Sequence, residues 1–285
     1  MARVFVTGGT GFIGFHLVRA LSEAGHTVSC LVRPTSRIQP LKRFGPEFVE
    51  ANLFDVDSLH RAVEGCDVVF HLAGTTKALK RETYFRVNGD GARAVAEACA
   101  RCSEPPRLIA LSSLAAAGPA TPDRPRTEDQ PAQPISVYGK SKRAGEIELE
   151  KFADRVPTTI LRPAIVFGPW DKDCLQMFQP IYNTGVHMVP GFKPRYYSLV
   201  YVADLIPAIL AAVDKGEHLP ADPESEPGRG YYFIAGDECP SYAELGRMMG
   251  RALGRKRTLI IPAGVAGTWV AAAGAELIAQ LRGRP

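Results

Sequence analysis

The run VFVTGGTGFIG, residues 4–14, constrains this chain more than any other segment. A short apolar stretch meets glycines at once and then reopens with Phe12 and Ile13, the outline of a strand, a tight turn and a helix. Gly8, Gly11 and Gly14 stand at GxxGxxG spacing, and Gly9, Gly11 and Gly14 also satisfy GxGxxG. Glycines at such a turn let backbone N–H groups approach a pyrophosphate, while the helix N-terminus adds partial positive charge. In this strand–turn–helix setting the spacing points to dinucleotide binding rather than to a plain tight turn.

The same alternation continues along the chain. Apolar runs at 3–8, 27–32, 47–50, 67–73, 107–113 and 158–163 end in glycine, proline or polar residues, as strands buried on both faces do. Helical patterns fill the intervals at 12–25, 56–64, 81–102 and 137–155. Strand and helix in turn predict an α/β fold: a Rossmann doubly wound parallel sheet with helices on both faces. Further on, 168–185 reads as loop and helix, 196–216 as strand and helix, and 230–236 as a strand. Ser241 followed by Glu244 forms a capping box for a helix over 241–254. Pro-rich stretches at 118–134 and 218–230 are surface loops, and the second is placed to act as a lid or a simple connector.

Composition narrows the class. A chain of 285 residues with 46% hydrophobic and 22% charged residues is ordinary for a globular protein. Its net charge of +4 is mild, the basic residues are scattered, and no nucleic-acid motif appears, so DNA and RNA are set aside. Six cysteines lack the density of a secreted disulfide scaffold; Cys99 and Cys102 have CxxC spacing but no second pair beside them in the sequence, and read as packing residues. The six histidines show no ligand spacing, so no catalytic metal is expected, and His71 reads as a packed, hydrogen-bonded side chain. No signal peptide is visible, which places the expectation in the cytoplasm. Residues 259–281 are apolar but broken by Pro262 and glycines; they predict a packed helix starting near Pro262, with peripheral membrane contact the alternative to an integral span. The sequence stops at Pro285 without a terminating signal, as a longer natural chain would.

The end of the second strand bears on the cofactor. An NAD site normally presents Asp or Glu about 20 residues after the glycines, to bond the ribose 2′-hydroxyl. Here the sequence is CLVRPTSR, with Val32 where an acid would sit, then Arg33 and, one turn later, Arg37. A guanidinium suits a 2′-phosphate. NADP(H) is therefore favoured, with NAD(H) the alternative.

Taken together, TGGTGFIG, HLAG (71–74), LSSLAAAG (111–118), YGKSK (138–142), LRPAIVFGP (161–169) and SLVYVADL (198–205) resemble, in order and spacing, the extended short-chain dehydrogenase/reductase family. The resemblance runs over essentially the whole chain. It is nearest the branch of dihydroflavonol-4-reductase-like, 3β-hydroxysteroid-dehydrogenase-like and hopanoid-associated sugar-epimerase-like proteins. It implies a catalytic Ser–Tyr–Lys set. Tyr138 and Lys142 match YxxxK directly; counting five back from Gly118 gives Ser113, with Ser112 as a neighbour lining the cofactor site. The resemblance also carries cofactor contacts onto Thr7, Gly8, Gly11, Phe12, Ile13, Gly14, Leu72, Ala73, Gly74, Pro163 and Val166. Asp55 takes the place of an adenine contact, with Asn52 and Leu53 as alternatives. Asn88 matches the family's asparagine on the long helix, and equally reads as a polar residue satisfied inside a packing site. A homodimer through the helices at 81–102 and 137–155 is likewise implied.

The residue types answer to chemistry. Reducing a ketone requires hydride from a nicotinamide and a proton for the developing alkoxide. Free tyrosine, with a pKa of about 10, exchanges that proton poorly near neutrality. An ammonium four residues along a helix shares its face, stabilises the phenolate and can hold the nicotinamide ribose. A serine hydroxyl orients the carbonyl. Lys140 points to the other side of the helix and is a surface lysine.

Three functions compete. The first is an NADP(H)-dependent oxidoreductase interconverting a ketone or aldehyde and an alcohol. The second is an NAD-dependent nucleotide-sugar epimerase or dehydratase, and the third is a non-catalytic NADP-binding sensor. Arg33 favours the first, because an enzyme that recycles its own cofactor gains nothing from the phosphorylated form. Ala117, where many sugar epimerases carry the tyrosine of VYG, points the same way, and an intact Tyr138–Lys142 pair argues against the sensor. The expected division is a dinucleotide-binding domain over 1–169, joined by a strand and helix from 197–216. A smaller C-terminal α/β lobe from 170–196 and 217–285 would take a small-molecule substrate. Met177, Phe178, Tyr182, Phe192 and Tyr201 suit a hydrophobic substrate or a core equally, and Lys193 and Arg195 are the candidates for a diphosphate clamp.

Overall fold

The computed structural model describes residues 1–264. They fall into two units: Met1–Ala164 with Val202–Ile234, and Ile165–Tyr201 with the segment beginning at Ala235.

The first unit is built on a seven-stranded sheet in which every pairing is parallel. Along the chain come β1 (Arg3–Thr7), α1 (Phe12–Glu23), β2 (Thr27–Val32), α2 (Gln39–Lys42), β3 (Glu47–Glu50), α3 (Val56–Val63) and β4 (Val68–His71). Next are α4 (Arg81–Phe85), α5 (Gly91–Ala100), β5 (Arg107–Leu111), α6 (Leu114–Ala117), α7 (Val137–Glu150) and β6 (Thr158–Pro163). After an excursion into the second unit the chain returns as α9 (Val202–Lys215) and β10 (Tyr231–Ile234). Strand order is β10-β6-β5-β4-β1-β2-β3. The chain therefore winds outward in opposite directions from the β1–β4 neighbours, and the crevice beyond their carboxyl ends is where such sheets bind ligands. Strands β4 and β6 are buried along their whole length, which is why they read as unbroken apolar runs. Helices α3, α5 and α7 pack together, and α1 packs with α9. Phe5, Leu59, Val69, Ala96, Leu108 and Ile160 lie in a core of near-zero exposure, each large apolar side chain contributing about 1.5–3 kcal/mol.

The second unit contains β7 (Ile165–Phe167), α8 (Lys172–Thr184), β8 (Val186–Pro190) and β9 (Leu199–Tyr201) before the return, then α10 (Tyr242–Ala252) and β11 (Leu259–Ala263). It holds two small parallel pairs, β7 with β9 and β8 with β11.

Several expectations shift. The strand at 231–234, assigned from sequence to the smaller lobe, is the edge strand of the large sheet, registered Tyr231 to Ile160. The strand preceding α9 pairs with β7 rather than joining that sheet. Pro262 lies inside a strand, not at a helix start: β11 is a sheet edge, where a missing N–H costs no ladder bond. The rest of the helix expected over 259–281 lies outside the described residues. The helix expected over 81–102 is broken by a π-turn at Arg86–Asp90, which sets Asn88 and Gly89 in the interior. The Ser241–Glu244 capping box is formed as expected, both halves present. Among the described residues no helix is long and apolar enough to cross a membrane.

Candidate functional site

The turn after β1 and the end of β4 meet at the crevice. Gly8 has φ +76°, and a Cβ there would stand 2.7 Å from both the Ala73 nitrogen and the Leu72 carbonyl carbon, so only glycine lets the two backbones pass. Thr7 fastens the same junction. Its backbone carbonyl accepts from Leu72 N at 3.1 Å. Its buried Oγ1 accepts from Ala73 N at 3.2 Å and bonds His71 Nδ1 at 2.8 Å. Thr7 thus acts inside the fold. His71 is the packed, bonded histidine read from sequence; burial, reinforced by the Lys142 charge, drops its pKa to about 3.

Helix α1 starts at Gly11 with no side chain capping it and no acidic residue in its first turn. A helix end left to its bare N–H groups at a Gly8–Gly11 turn is an anion cradle. Arg33 follows the last residue of β2, at the same sheet edge as the turn because β1 and β2 are parallel and in register from Arg3–Thr27 to Thr7–Leu31. Arg33 and Arg37 are exposed, and among the described residues neither guanidinium makes an ion pair.

Helix α7 brings the other candidates. Ser136 caps it, accepting from Gly139 N at 3.0 Å, which starts the helix one residue before Tyr138. Tyr138 and Lys142 share the inward face. Burial pushes the pKa of the Tyr138 phenol up, and the neighbouring Ser113 hydroxyl pulls it partly back. Ser113 is the N-cap of α6, its Oγ accepting from Ala115 N at 3.2 Å. A buried ammonium must donate somewhere, and Lys142 Nζ reaches the Leu111 carbonyl at the end of β5, at 2.7 Å. Burial lowers its pKa to about 8, with Glu146 opposing. The same Nζ lies 3.6 Å from the position a Cβ would take at Gly74, so ammonium and glycine turn share one neighbourhood.

Other candidates prove to have structural work. Asn88 is buried and saturated: Oδ1 accepts from Thr75 N at 2.8 Å, while Nδ2 donates to Thr75 O at 3.0 Å and to Ser141 Oγ at 2.8 Å. It clamps the segment after β4 to α7. Ser112 donates to Glu146 Oε1 at 2.5 Å. Asp55 caps α3, accepting from Ser58 N at 3.2 Å and Ser58 Oγ at 2.6 Å, which holds its carboxyl below the usual range. Asn52 accepts from Phe54 N at 3.1 Å, and Leu53 packs against the core beside Gly91. Pro163 ends β6, buried; Val166 lies in β7 of the second unit. In that unit Phe192 and Tyr182 are 79% and 67% exposed, which removes the core explanation for them.

Sequence reasoning missed Glu146 and Arg162, a buried pair directly below these residues. Two signals were present: Glu146 follows Lys142 by one helical turn, and Arg162 is a charge inside an otherwise apolar strand.

These features define a dinucleotide-binding α/β protein of the Rossmann type. The model of the NAD dependent epimerase/dehydratase family matches residues 4–223, and the chain belongs to that family. It is 40% identical over 209 residues to the ceramide reductase of Caulobacter vibrioides, covering 73% of this chain and 60% of that one. It is 33% identical over 220 residues to a putative dihydroflavonol 4-reductase of Synechocystis sp., covering 75% and 63%. The chain thus spans about three-fifths of the length of these curated relatives. The dTDP-glucose 4,6-dehydratase of Bacillus anthracis in complex with NAD shares the fold, with a TM-score of 0.78 at 18% identity over 93% of this chain and 85% of that chain. Family membership makes a nicotinamide adenine dinucleotide the cofactor class. The uncapped start of α1, the Gly8 crossing and the Lys142 ammonium beside Gly74 fit such a group.

Proposed function

We propose that this chain is an NADP(H)-dependent oxidoreductase that interconverts a ketone or aldehyde and an alcohol on a hydrophobic small molecule. The observation that carries the reading is the juxtaposition of the Ser113 hydroxyl with Tyr138, which stands on a helix whose next turn brings the Lys142 ammonium to Gly74. When bound, the nicotinamide supplies or accepts the hydride. Tyr138 Oη then gives its proton to the carbonyl oxygen as negative charge grows there, and Ser113 Oγ–H holds that oxygen by a hydrogen bond. The burial-raised pKa keeps the phenol protonated near neutrality, the form the reductive direction needs. Lys142 provides the positive charge that offsets the phenolate left behind.

Arg33 and Arg37, beyond β2 with no carboxylate at its end, support NADP(H) over NAD(H). The ceramide reductase and dihydroflavonol 4-reductase among the relatives support carbonyl reduction. The exposed Tyr182 and Phe192 of the second unit support a hydrophobic substrate.

The test is Tyr138→Phe, assayed with NADPH and a panel of ketones and aldehydes by absorbance. NADPH affinity should be retained and turnover should fall by about 100-fold or more; an unchanged rate refutes the assignment. Conversion of UDP-sugars by protein carrying tightly bound NAD, with no net cofactor use, would replace it with the epimerase reading.

A further inference from the structure

At the amino-terminal edge of the sheet, away from the glycine turn, three side chains with metal-ligating atoms converge. His60 and Glu64 lie four residues apart at the end of α3, with His60 Nδ1 3.7 Å from Glu64 Oε2. Cys102, in the turn after α5, places Sγ 3.8 Å from the same His60 Nδ1. All three ligand atoms lie within 4.8 Å of one another. Cys99 is fully buried in the core, the packing residue read from sequence, while the neighbours of Cys102 here come from another helix.

The two separations that involve His60 are close to those around a coordinated ion. Zinc takes sulfur at about 2.3 Å and nitrogen or oxygen at about 2.0–2.2 Å, so tetrahedral ligands stand about 3.4–3.6 Å apart. The observed 3.7 and 3.8 Å separations need only a small contraction. A thiolate and a carboxylate would neutralise the cation's two charges. The carboxylate is also oriented: Ser103 Oγ donates to Glu64 Oε1 at 2.9 Å, leaving Oε2 toward His60. Nearby cations are engaged elsewhere. Arg101 pairs with Asp57 and Glu97, and Arg61 donates to Ser58. His60 and Glu64 side chains are 33% and 42% exposed, which gives an ion a path in.

We propose that His60, Glu64 and Cys102 form a zinc(II) site that clasps the end of α3 to the turn after α5, with water as the fourth ligand. On binding, the Cys102 thiol releases its proton to solvent and the sulfur coordinates as thiolate. The site is remote from the proposed catalytic residues and acts as a staple between two packed helices.

The experiment uses the full chain, stripped of metal with a chelator and kept reduced, and titrated with zinc(II) by calorimetry and with cobalt(II) by absorbance. The expected result is one ion per chain, a thiolate-to-cobalt band in the near ultraviolet and tetrahedral cobalt bands in the visible. Cys102→Ser should abolish the near-ultraviolet band. Glu64→Gln, at an exposed position that leaves the fold undisturbed, should weaken zinc binding at least tenfold and remove the rise in Tm that zinc gives the unsubstituted protein. Absence of one-to-one binding overturns the proposal. So does a cobalt spectrum that survives Cys102→Ser, because the ion would then sit on another thiol such as the exposed Cys239.

Discussion

Arg162 grips Glu146 with both arms of its guanidinium: Nε donates to Oε1 at 2.8 Å and Nη2 to Oε2 at 2.7 Å. Both side chains are almost completely buried. Ser112 adds a third bond to the carboxylate, and Arg162 lies over the Tyr231 ring at 4.2 Å. The pair therefore joins β6, β10 and the end of β5 to α7, the helix that carries Tyr138 and Lys142.

Removing Glu146 leaves the Arg162 charge buried and uncompensated, whereas the Glu146 carboxylate also has Arg143 Nη1 at 3.3 Å. Glu146→Gln should destabilise the protein by about 3–5 kcal/mol, measured by denaturant unfolding. Replacing both partners, Glu146→Leu with Arg162→Met, should recover most of that loss, because no orphan charge remains. A single variant within about 1 kcal/mol of the parent, well below that expected loss, would show that water reaches the pair.

Asn88 makes a different kind of tie. Asn88→Ala orphans the Thr75 N–H and carbonyl and one bond to Ser141, and should cost about 1–3 kcal/mol. It should also weaken NADP(H) binding, since the Ala73–Gly74–Thr75 segment loses its anchor to α7. Calorimetric titration reads the second effect; unaltered affinity alongside lost stability would confine Asn88 to packing.

Gly145 limits how close α7 comes to the π-turn. A methyl group there would overlap the Asn88 carbonyl oxygen and press on Ala92. Gly145→Ala should therefore cost about 1–3 kcal/mol through overpacking, although alanine is the better helix former. Equal or greater stability in thermal unfolding would mean that the two helices can separate freely.

Much of this was readable because local and global signals agreed. The glycine turn, the buried apolar runs and the Ser241 capping box are each short-range patterns, and each formed where the sequence placed it. The Tyr138–Lys142 relation followed from helical spacing alone. What escaped depended on contacts between distant segments. Nothing local in TYFRVNGDG marks a π-turn, whose reward is the bonding of Asn88 to residues on β4's exit and α7. The edge position of β10 is decided by pairing with β6, 71 residues earlier by the register of Tyr231 with Ile160. Asp55 fits an adenine contact by family resemblance and an N-cap by its neighbour Ser58, and only the fold displays the second.

Arg33 should set cofactor preference without setting stability. Its guanidinium is exposed, so Arg33→Ala should unfold like the parent, surface substitutions staying within about 0.5 kcal/mol. Losing a charge-assisted contact to a 2′-phosphate should weaken NADPH binding at least about tenfold, and leave NADH binding unaltered. Equal losses for both nucleotides would show that Arg33 serves the shared diphosphate instead.

His71 and Lys142 should leave opposite marks on the pH dependence of stability. Both have native pKa values below their ordinary ones: His71 about 3 against 6.5, Lys142 about 8 against 10.5. In each case burial of the charge is the chief cause. Between the two values the unfolded chain binds a proton that the folded chain refuses, so stability rises with pH across each window. Acidification from pH 6.5 towards 3 should thus erode stability through His71, and His71→Asn should flatten that limb relative to the parent. On the alkaline side Lys142 should add stability from about pH 8 upward, and Lys142→Met should remove the increment. The buried thiols of Cys30 and Cys102, each pushed up to about 12, work the other way once unfolded thiols begin to ionise near 9. The comparison is therefore made as a difference between variant and parent over pH 8–9, by denaturant unfolding. Parallel curves for Lys142→Met and the parent would mean that the ammonium remains hydrated, contrary to its place against the Leu111 carbonyl.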